Sequence, residues 1–220
     1  MSTPLSPQNH SFHPQIYTAD DLRSNNDLTV SIIALENAGY SNRQIYPESR
    51  WGKIPDRFET LEALFTSLGP QGFVVAVFAS GENEEDEDRG RQLVACACAS
   101  PWKGDLRLGS SSEKGNDDEV AREAAKERGW EIKGVATHAA WLRKGLAGRC
   151  IAAIETEVAR QEDEGKIRLW IHMVEEVNGE YWRRRGFTEV RRSKTAPGVF
   201  GAKFGVELVV MFKDVDVERS

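Results

Sequence analysis

The sequence predicts a mixed α/β domain built on a single sheet, and three observations carry that reading. Two apolar runs, Phe73 to Ala79 and Leu93 to Ala99, lie close together and read as neighbouring strands. The segment from Gly145 to Gln161 places Ala147, Cys150, Ile151, Ile154 and Val158 on one helical face. Strand-like and helical patterns then alternate, so the whole chain reads β-α-α-β-β-β-α-β-α-β-β. Three consecutive strands ahead of that alternation exclude a doubly wound parallel fold.

The elements follow in order. Gln15 to Thr18 predicts a short strand, and about Ala19 to Ala38 a helix with Asp20 and Asp21 in its first turn and Gly39 at its end. Prolines and Trp51, up to Pro55, make a loop. Phe58, Leu61, Leu64 and Phe65 give Arg57 to Leu68 a helical period, stopped by Gly69-Pro70. Gly72 to Ser80 and Gln92 to Ser100 form a hairpin with a polar loop over 81–90. The polar stretch 103–128 reads as an insertion, with a short helix near Glu119 to Glu127. Trp130 to Thr137 is a strand, Gly145 to Gln161 a helix, Lys166 to Val174 a strand and Asn178 to Arg185 a short helix. Phe187 to Arg192 and Val206 to Phe212 are the last strands. The domain therefore runs over 14–215, between a leader at 1–13 and a tail at 216–220.

Composition excludes several classes of function. The chain has 220 residues, 40% hydrophobic and 29% charged, enough to bury one sizeable core and stay soluble. Its longest apolar runs are seven residues, whereas a membrane span needs about 20. Met1 to His13 has no apolar core of a secretory signal. The net charge is -6, and Glu82 to Asp88 holds six acidic residues, leaving the remainder nearly neutral. A basic field for nucleic acid is absent. The acidic run reads as a solvated loop or as a dock for cationic partners. Cys96, Cys98 and Cys150 make no disulfide framework and read as small buried hydrophobes. His10, His13, His138 and His172 show no metal-ligand spacing with them, so no metal is expected. These features suit an intracellular, cytoplasmic protein, with the nucleus open as well. Oligomeric state leaves no signature.

Chemistry concentrates between Glu131 and Gly148. A strand ends there, and a glycine-containing turn opens the long helix. Free N–H groups at such a start, backed by the helix dipole, suit a pyrophosphate. Gly145 and Gly148 allow close approach, and Arg143 and Lys144 add positive charge. Read alone, the stretch equally fits an ordinary helix start with glycines chosen for packing.

Leu142-Arg143-Lys144-Gly145-Leu146-Ala147 resembles the cofactor motif Gln/Arg-x-x-Gly-x-Gly/Ala of the GNAT superfamily of acyl-CoA-dependent N-acyltransferases. The glycine and the small residue match; Leu142 departs at the first position. Tyr181-Trp182-Arg183-Arg184-Arg185-Gly186-Phe187 resembles that family's aromatic-x-x-x-Gly-Phe segment. The element order agrees, so the resemblance spans about Gln15 to Val215. It implies a splayed, mostly antiparallel sheet of about seven strands flanked by about four helices.

The resemblance also implies roles. Val135, Ala136 and Thr137 would pair with the pantetheine arm of acetyl-CoA, one N–H polarising the thioester carbonyl. Gly134 would permit the bulge that opens the sheet. Leu142, Arg143, Lys144, Gly145, Leu146, Ala147 and Gly148 would hold the pyrophosphate, and Asn178 and Trp182 would line the cofactor site. An alkyl amine arrives protonated and needs a base. Glu131, eleven residues before Leu142, stands where the histone-acetylating branch places its glutamate; it equally fits a polar strand start. The family's usual tyrosine acid is replaced by Trp182, with Tyr181 one residue earlier, about 100° round the helix. Tyr181 would serve as acid, or water would. Glu175 and Glu176 read as solvated loop charges, or would face a cationic substrate. Tyr40 to Trp51 and the glycine-bearing stretch Thr195 to Gly205, expected to be mobile, would recognise the acceptor, with Tyr46, Trp51 and Phe200 as an apolar slot. The function implied is acetyl transfer to a primary amine, of a small molecule, in a ternary complex. The rivals are a non-catalytic acyl-CoA sensor and a protein lysine acetyltransferase.

Overall fold

The computed structural model describes residues 12–79, 91–104, 127–161 and 165–217. The acidic run 82–88, most of the leader and most of the 103–128 insertion, its expected helix included, lie outside the described residues. The elements are β1 (Pro14–Thr18), α1 (Ala19–Ser24), α2 (Asn26–Tyr40), α3 (Leu61–Leu68), β2 (Phe73–Ala79), β3 (Gln92–Pro101), β4 (Trp130–Thr137), α4 (Leu146–Gln161), β5 (Lys166–Val174), α5 (Glu175–Arg183), β6 (Thr188–Lys194) and β7 (Glu207–Asp216). Single 3-10 turns sit at Ala139–Trp141 and Val199–Gly201. The fold is the expected mixed α/β type, on one seven-stranded sheet in the order β1-β2-β3-β4-β5-β7-β6.

All neighbours are antiparallel except β4 and β5. That parallel pair holds only at Trp130↔Leu169 and Glu131↔Trp170. Beyond Glu131 the two strands part, and the β5-facing edge of β4 has no strand partner. A second irregularity lies on the other edge. Cys96 faces Ala136 whereas Cys98 faces Lys133, so β4 sets Gly134 and Val135 against the single residue Ala97. Gly134 takes φ 59° at this bulge, where glycine alone is unstrained.

Helices cover both faces of the sheet, which is why β2 and β3 read as unbroken apolar runs. On one face Cys150, Ile151, Ile154 and Val158 of α4 meet Val75, Val77, Ala95, Ala97 and Ile132. On the other, Leu22, Leu28, Ile32, Leu35, Leu64 and Leu68 meet Val74, Cys96, Cys98 and Ala136. A third cluster joins Trp51, Ala202 and Val206 with Tyr46, Ile54 and Phe204.

Several boundaries differ from expectation. The single helix expected over Ala19 to Ala38 is two helices, broken at Asn25 (φ -128°, ψ 82°), whose side chain accepts from Leu28 N–H and so caps α2. This brings the described helices to five. The helix expected from Arg57 begins only at Leu61, because the Thr60 hydroxyl accepts from Ala63 N–H and fixes the start. The helix expected from Asn178 begins at Glu175, with Glu175 and Glu176 in its first turn, where carboxylates favour the dipole. They are therefore helix residues rather than loop charges. Glu175 pairs with Arg183 and Arg192, and Glu176 accepts from Glu207 N–H. No helix among the described residues is long and apolar enough to cross a membrane.

Candidate functional site

The splay between β4 and β5 positions the site. Val135, Ala136 and Thr137 lie past the last β4–β5 pair, while Ala136 and Thr137 remain registered with Cys96 and Ala95 of β3. Their strand is thus held on one side and open on the other. The chain then turns at His138, whose Nδ1 accepts from Ala140 N–H, and runs through Leu142 to Gly145. Arg143 (φ 62°) and Gly145 (φ 76°) both adopt left-handed conformations, which tighten the turn into α4. Thr18, Asn25 and Thr60 cap the first three helices with their side chains. No described side chain bonds the leading N–H groups of α4 at Leu146, Ala147 and Gly148. Those groups and the dipole behind them face the turn as an anion site. A Cβ on Gly145 would meet nothing within 4 Å, whereas one on Gly148 would meet the Arg185 guanidinium at 2.8 Å. Lys144 lies over the Trp141 ring at 4.3 Å.

Beside this turn, α5 lines a cleft of about 470 Å³ with Glu176, Asn178, Tyr181, Arg184 and Arg185 among its walls. Asn178 Oδ1 is buried with no hydrogen-bond partner among the described residues, and the buried Tyr181 hydroxyl has the Arg185 guanidinium beside it. Burial raises the Tyr181 hydroxyl above its ordinary pKa, and Arg185, over the ring at 3.8 Å, offsets this in part. Trp182 is elsewhere. It is buried in the α4-side core, edge-on to Phe187 at 5.1 Å, and does not line the cleft. Of the aromatic pair, Tyr181 is therefore the residue brought to the site. Cys150 is fully buried and its thiol is pushed up to about 12 by burial, so it offers no nucleophile.

Glu131 lies on the opposite face of β4, toward α2 and α3. Its carboxylate pairs with Lys133 at 3.3 Å, and Lys133 also donates to the Ser67 carbonyl at 2.7 Å. The same face holds a residue that the sequence reading missed. Glu36 of α2 is fully buried, and its Oε1 accepts from the Cys98 thiol at 3.1 Å. Arg57 Nε stands 4.0 Å from Oε2. Burial lifts this carboxyl to about 7, with the Cys98 hydrogen bond, Arg57 and Lys133 acting against the rise. The available signal was its spacing, since Glu36 continues the buried stripe of Leu28 and Ile32 at intervals of four.

This carboxyl makes stability depend on pH. Its ordinary value is 4.5 and its folded value about 7. Between those pH values the folded chain holds a proton that the unfolded chain releases. Stability should therefore fall as pH rises through this window, by about 3 kcal/mol from this group, and level off above it. Urea titrations at pH 5 and pH 8 should show that loss in the wild type and lack it in Glu36→Gln.

The two loops expected to recognise the acceptor pair with one another. Gly52 N–H donates to the Gly201 carbonyl at 2.7 Å, Lys203 N–H to the Arg50 carbonyl at 2.9 Å, and Trp51 bridges Ala202. The stretch 195–205 is therefore pinned rather than free, and the sequence-based expectation of mobility is corrected. Two of its glycines serve close approach: a Cβ on Gly201 would stand 3.0 Å from the Lys53 carbonyl carbon, and one on Gly205 2.5 Å from the Thr195 carbonyl oxygen. Tyr46 and Trp51 do pack together, at 5.1 Å, but the third ring is Phe204, at 5.7 Å from Trp51. Phe200 points outward, 44% exposed. Among the described residues no three His, Cys, Asp or Glu side chains could hold a metal ion.

Comparison with known proteins bears on family and fold. The model of the acetyltransferase (GNAT) family matches residues 41–187. No curated protein matches the chain. Among solved structures, an acetyltransferase candidate from Acinetobacter baylyi ADP1 superposes with TM-score 0.58 at 13% identity, covering 96% of this chain and 97% of its own. Arabidopsis thaliana NAA60 in complex with acetyl-CoA gives 0.52 at 15% identity, covering 93% and 99%. An acyl-CoA N-acyltransferase from Pseudomonas aeruginosa gives 0.53 at 13%, covering 92% and 99%. At such identities these structures share a fold with this chain, and nothing finer follows from them.

Proposed function

We propose a function from one established premise: this chain belongs to the GNAT acetyltransferase family. The reaction is transfer of an acetyl group from acetyl-CoA to a primary amine of a small molecule, by direct attack in a ternary complex. The observation that carries this reading is the parting of β4 from β5 beyond Glu131, beside a helix start that no described side chain caps. In it, Leu142 to Gly148 bind the pyrophosphate through backbone N–H groups, with Arg143 and Lys144 adding charge. The free edge at Val135 to Thr137 holds the pantetheine arm, and one of its N–H groups stabilises the developing oxyanion. Asn178 supplies a polar contact from the cleft. The amine's proton goes to a carboxylate on the α2 face of β4, where Glu131 and Glu36 both stand. Tyr181 or water returns a proton to the leaving thiolate.

The pinned wall of Tyr46, Trp51 and Phe204 favours a small acceptor over a folded protein surface. A non-catalytic acyl-CoA sensor is the second reading, favoured by the placement of Trp182 in the core, where the family's acid would be. Calorimetric titration with acetyl-CoA and a thiol-release assay test both. The amine panel comprises phenethylamine, spermidine, L-lysine and a lysine-containing peptide. Binding with release on at least one small amine is expected. Binding without release on any amine selects the sensor, release on the peptide alone selects the protein acetyltransferase, and no binding removes the whole reading.

A further inference from the structure

Glu36 occupies a place that costs stability and that packing alone does not explain. It sits on the buried stripe of α2, where helical spacing calls for an apolar side chain. A fully buried carboxylate is tolerated when paired and hydrogen-bonded on both oxygens. Here only Oε1 is satisfied, by the Cys98 thiol, and Oε2 accepts no hydrogen bond. The nearest cation, Arg57 Nε, remains 4.0 Å away, and its side chain is 31% exposed, so it borders both Glu36 and solvent.

The location is equally specific. The carboxylate fills the space of a missing side chain at Gly134: a Cβ there would lie 2.6 Å from Oε2. Gly134 is the bulge residue, immediately ahead of the free edge at Val135 to Thr137. A carboxylate with one open acceptor position is thus set against the strand beside which the thioester would lie.

We infer that Glu36, rather than Glu131, takes and holds the proton of the acceptor amine. This rests on the acetyl-transfer reading of the same site. Glu131 Oε2 is paired with Lys133 at 3.3 Å, whereas Oε2 of Glu36 accepts no hydrogen bond and has Arg57 only at 4.0 Å. The groups facing Glu36 are Cys96 and Cys98 from β3, Tyr40 from its own helix, Arg57 from the segment before α3 and Lys133 from β4; Glu131 acts on Arg57. Burial sets its proton affinity near neutral pH, the range in which a general base works best.

The protons balance. An ammonium gives one proton to Glu36, directly or through one water, leaving a neutral amine and a carboxylic acid. The amine lone pair forms the N–C bond, the C–S bond breaks, and the thiolate departs with its electron pair. The second nitrogen proton passes to that thiolate, and Glu36 releases its own to solvent, so one proton is produced per amide formed.

The test compares wild type, Glu36→Gln, Glu131→Gln and Cys98→Ala on the panel amine turned over fastest, and on hydroxylamine, which is already neutral at pH 7 and needs no base. In Glu36→Gln, kcat/KM on the alkyl amine should fall by about 100-fold at pH 7. Activity should recover as pH rises, acetyl-CoA affinity should hold, and the hydroxylamine rate should stay near wild type. Glu131→Gln should keep the acidic limb of the pH profile. Cys98→Ala keeps Glu36 and removes its donor, so its limb should move to higher pH; this arm stands even if Glu36→Gln fails to fold. Equal losses on both nucleophiles, or a limb that follows Glu131 or ignores Cys98→Ala, overturn the assignment. A wild type that binds acetyl-CoA and acylates neither nucleophile overturns the acetyl-transfer reading itself, and Glu36's role with it.

Discussion

Gly134→Val should destabilise the protein by about 2–5 kcal/mol and abolish acetyl transfer. Two costs add. At φ 59° a β-branched side chain is strained, by about 1–2 kcal/mol for the left-handed conformation. The new Cβ would also land on the Glu36 carboxylate, and overpacking of that kind costs about 1–3 kcal/mol. Neither can be relieved cheaply, because α2 is pressed onto β4 one turn later as well: a Cβ on Gly39 would meet Ala136 Cβ at 3.2 Å. The two costs separate in a double-mutant cycle. Gly134→Ala should be markedly less harmful in a Glu36→Ala background, where only the backbone strain of about 1–2 kcal/mol remains. Urea denaturation of the four proteins measures this. Additive effects would mean that the carboxylate does not occupy the space over the bulge.

That contact between α2 and β4 also marks the limit of what the sequence discloses. Periodicity made the sheet and α4 legible, because Cys150, Ile154 and Val158 bury a stripe that any packing partner would require. The turn into α4 was legible for the same local reason, since glycine positions and a helix start lie within a few residues. Glu36 was not. On a helix an acidic residue reads as solvated, and only its position four residues after Ile32 argued otherwise. Its surroundings are set by residues far along the chain, Arg57, Cys98 and Gly134, which only the tertiary fold assembles. Glycines misled in the opposite way. Between Thr195 and Gly205 they read as conformational freedom, yet Gly201 is needed because the Lys53 backbone passes too close for a side chain. The start of α5 carried a usable signal, two carboxylates in a first turn, that a loop reading passed over.

Gly145→Asp should separate fold from ligand at the other end of the site. A side chain here enters open space, since a Cβ meets nothing within 4 Å. Asp tolerates left-handed backbone better than most residues, and its carboxylate stands at the start of α4, where negative charge favours the helix. Stability should therefore change by no more than about 1 kcal/mol, the strain and the dipole term opposing each other. Affinity for acetyl-CoA should fall by about 100-fold, because a fixed carboxylate competes for the N–H groups of Leu146 to Gly148 and repels a pyrophosphate seated on them. Salt distinguishes this from a steric effect. Repulsion between charges at this partly exposed turn is screened as ionic strength rises, so calorimetry at low and high salt should show the deficit narrowing in the variant. Gly145→Asn, with nearly the same steric demand and no charge, should retain most of the affinity. Wild-type affinity in Gly145→Asp would place the pyrophosphate elsewhere, and the free edge of β4 would then lose its claim to the thioester.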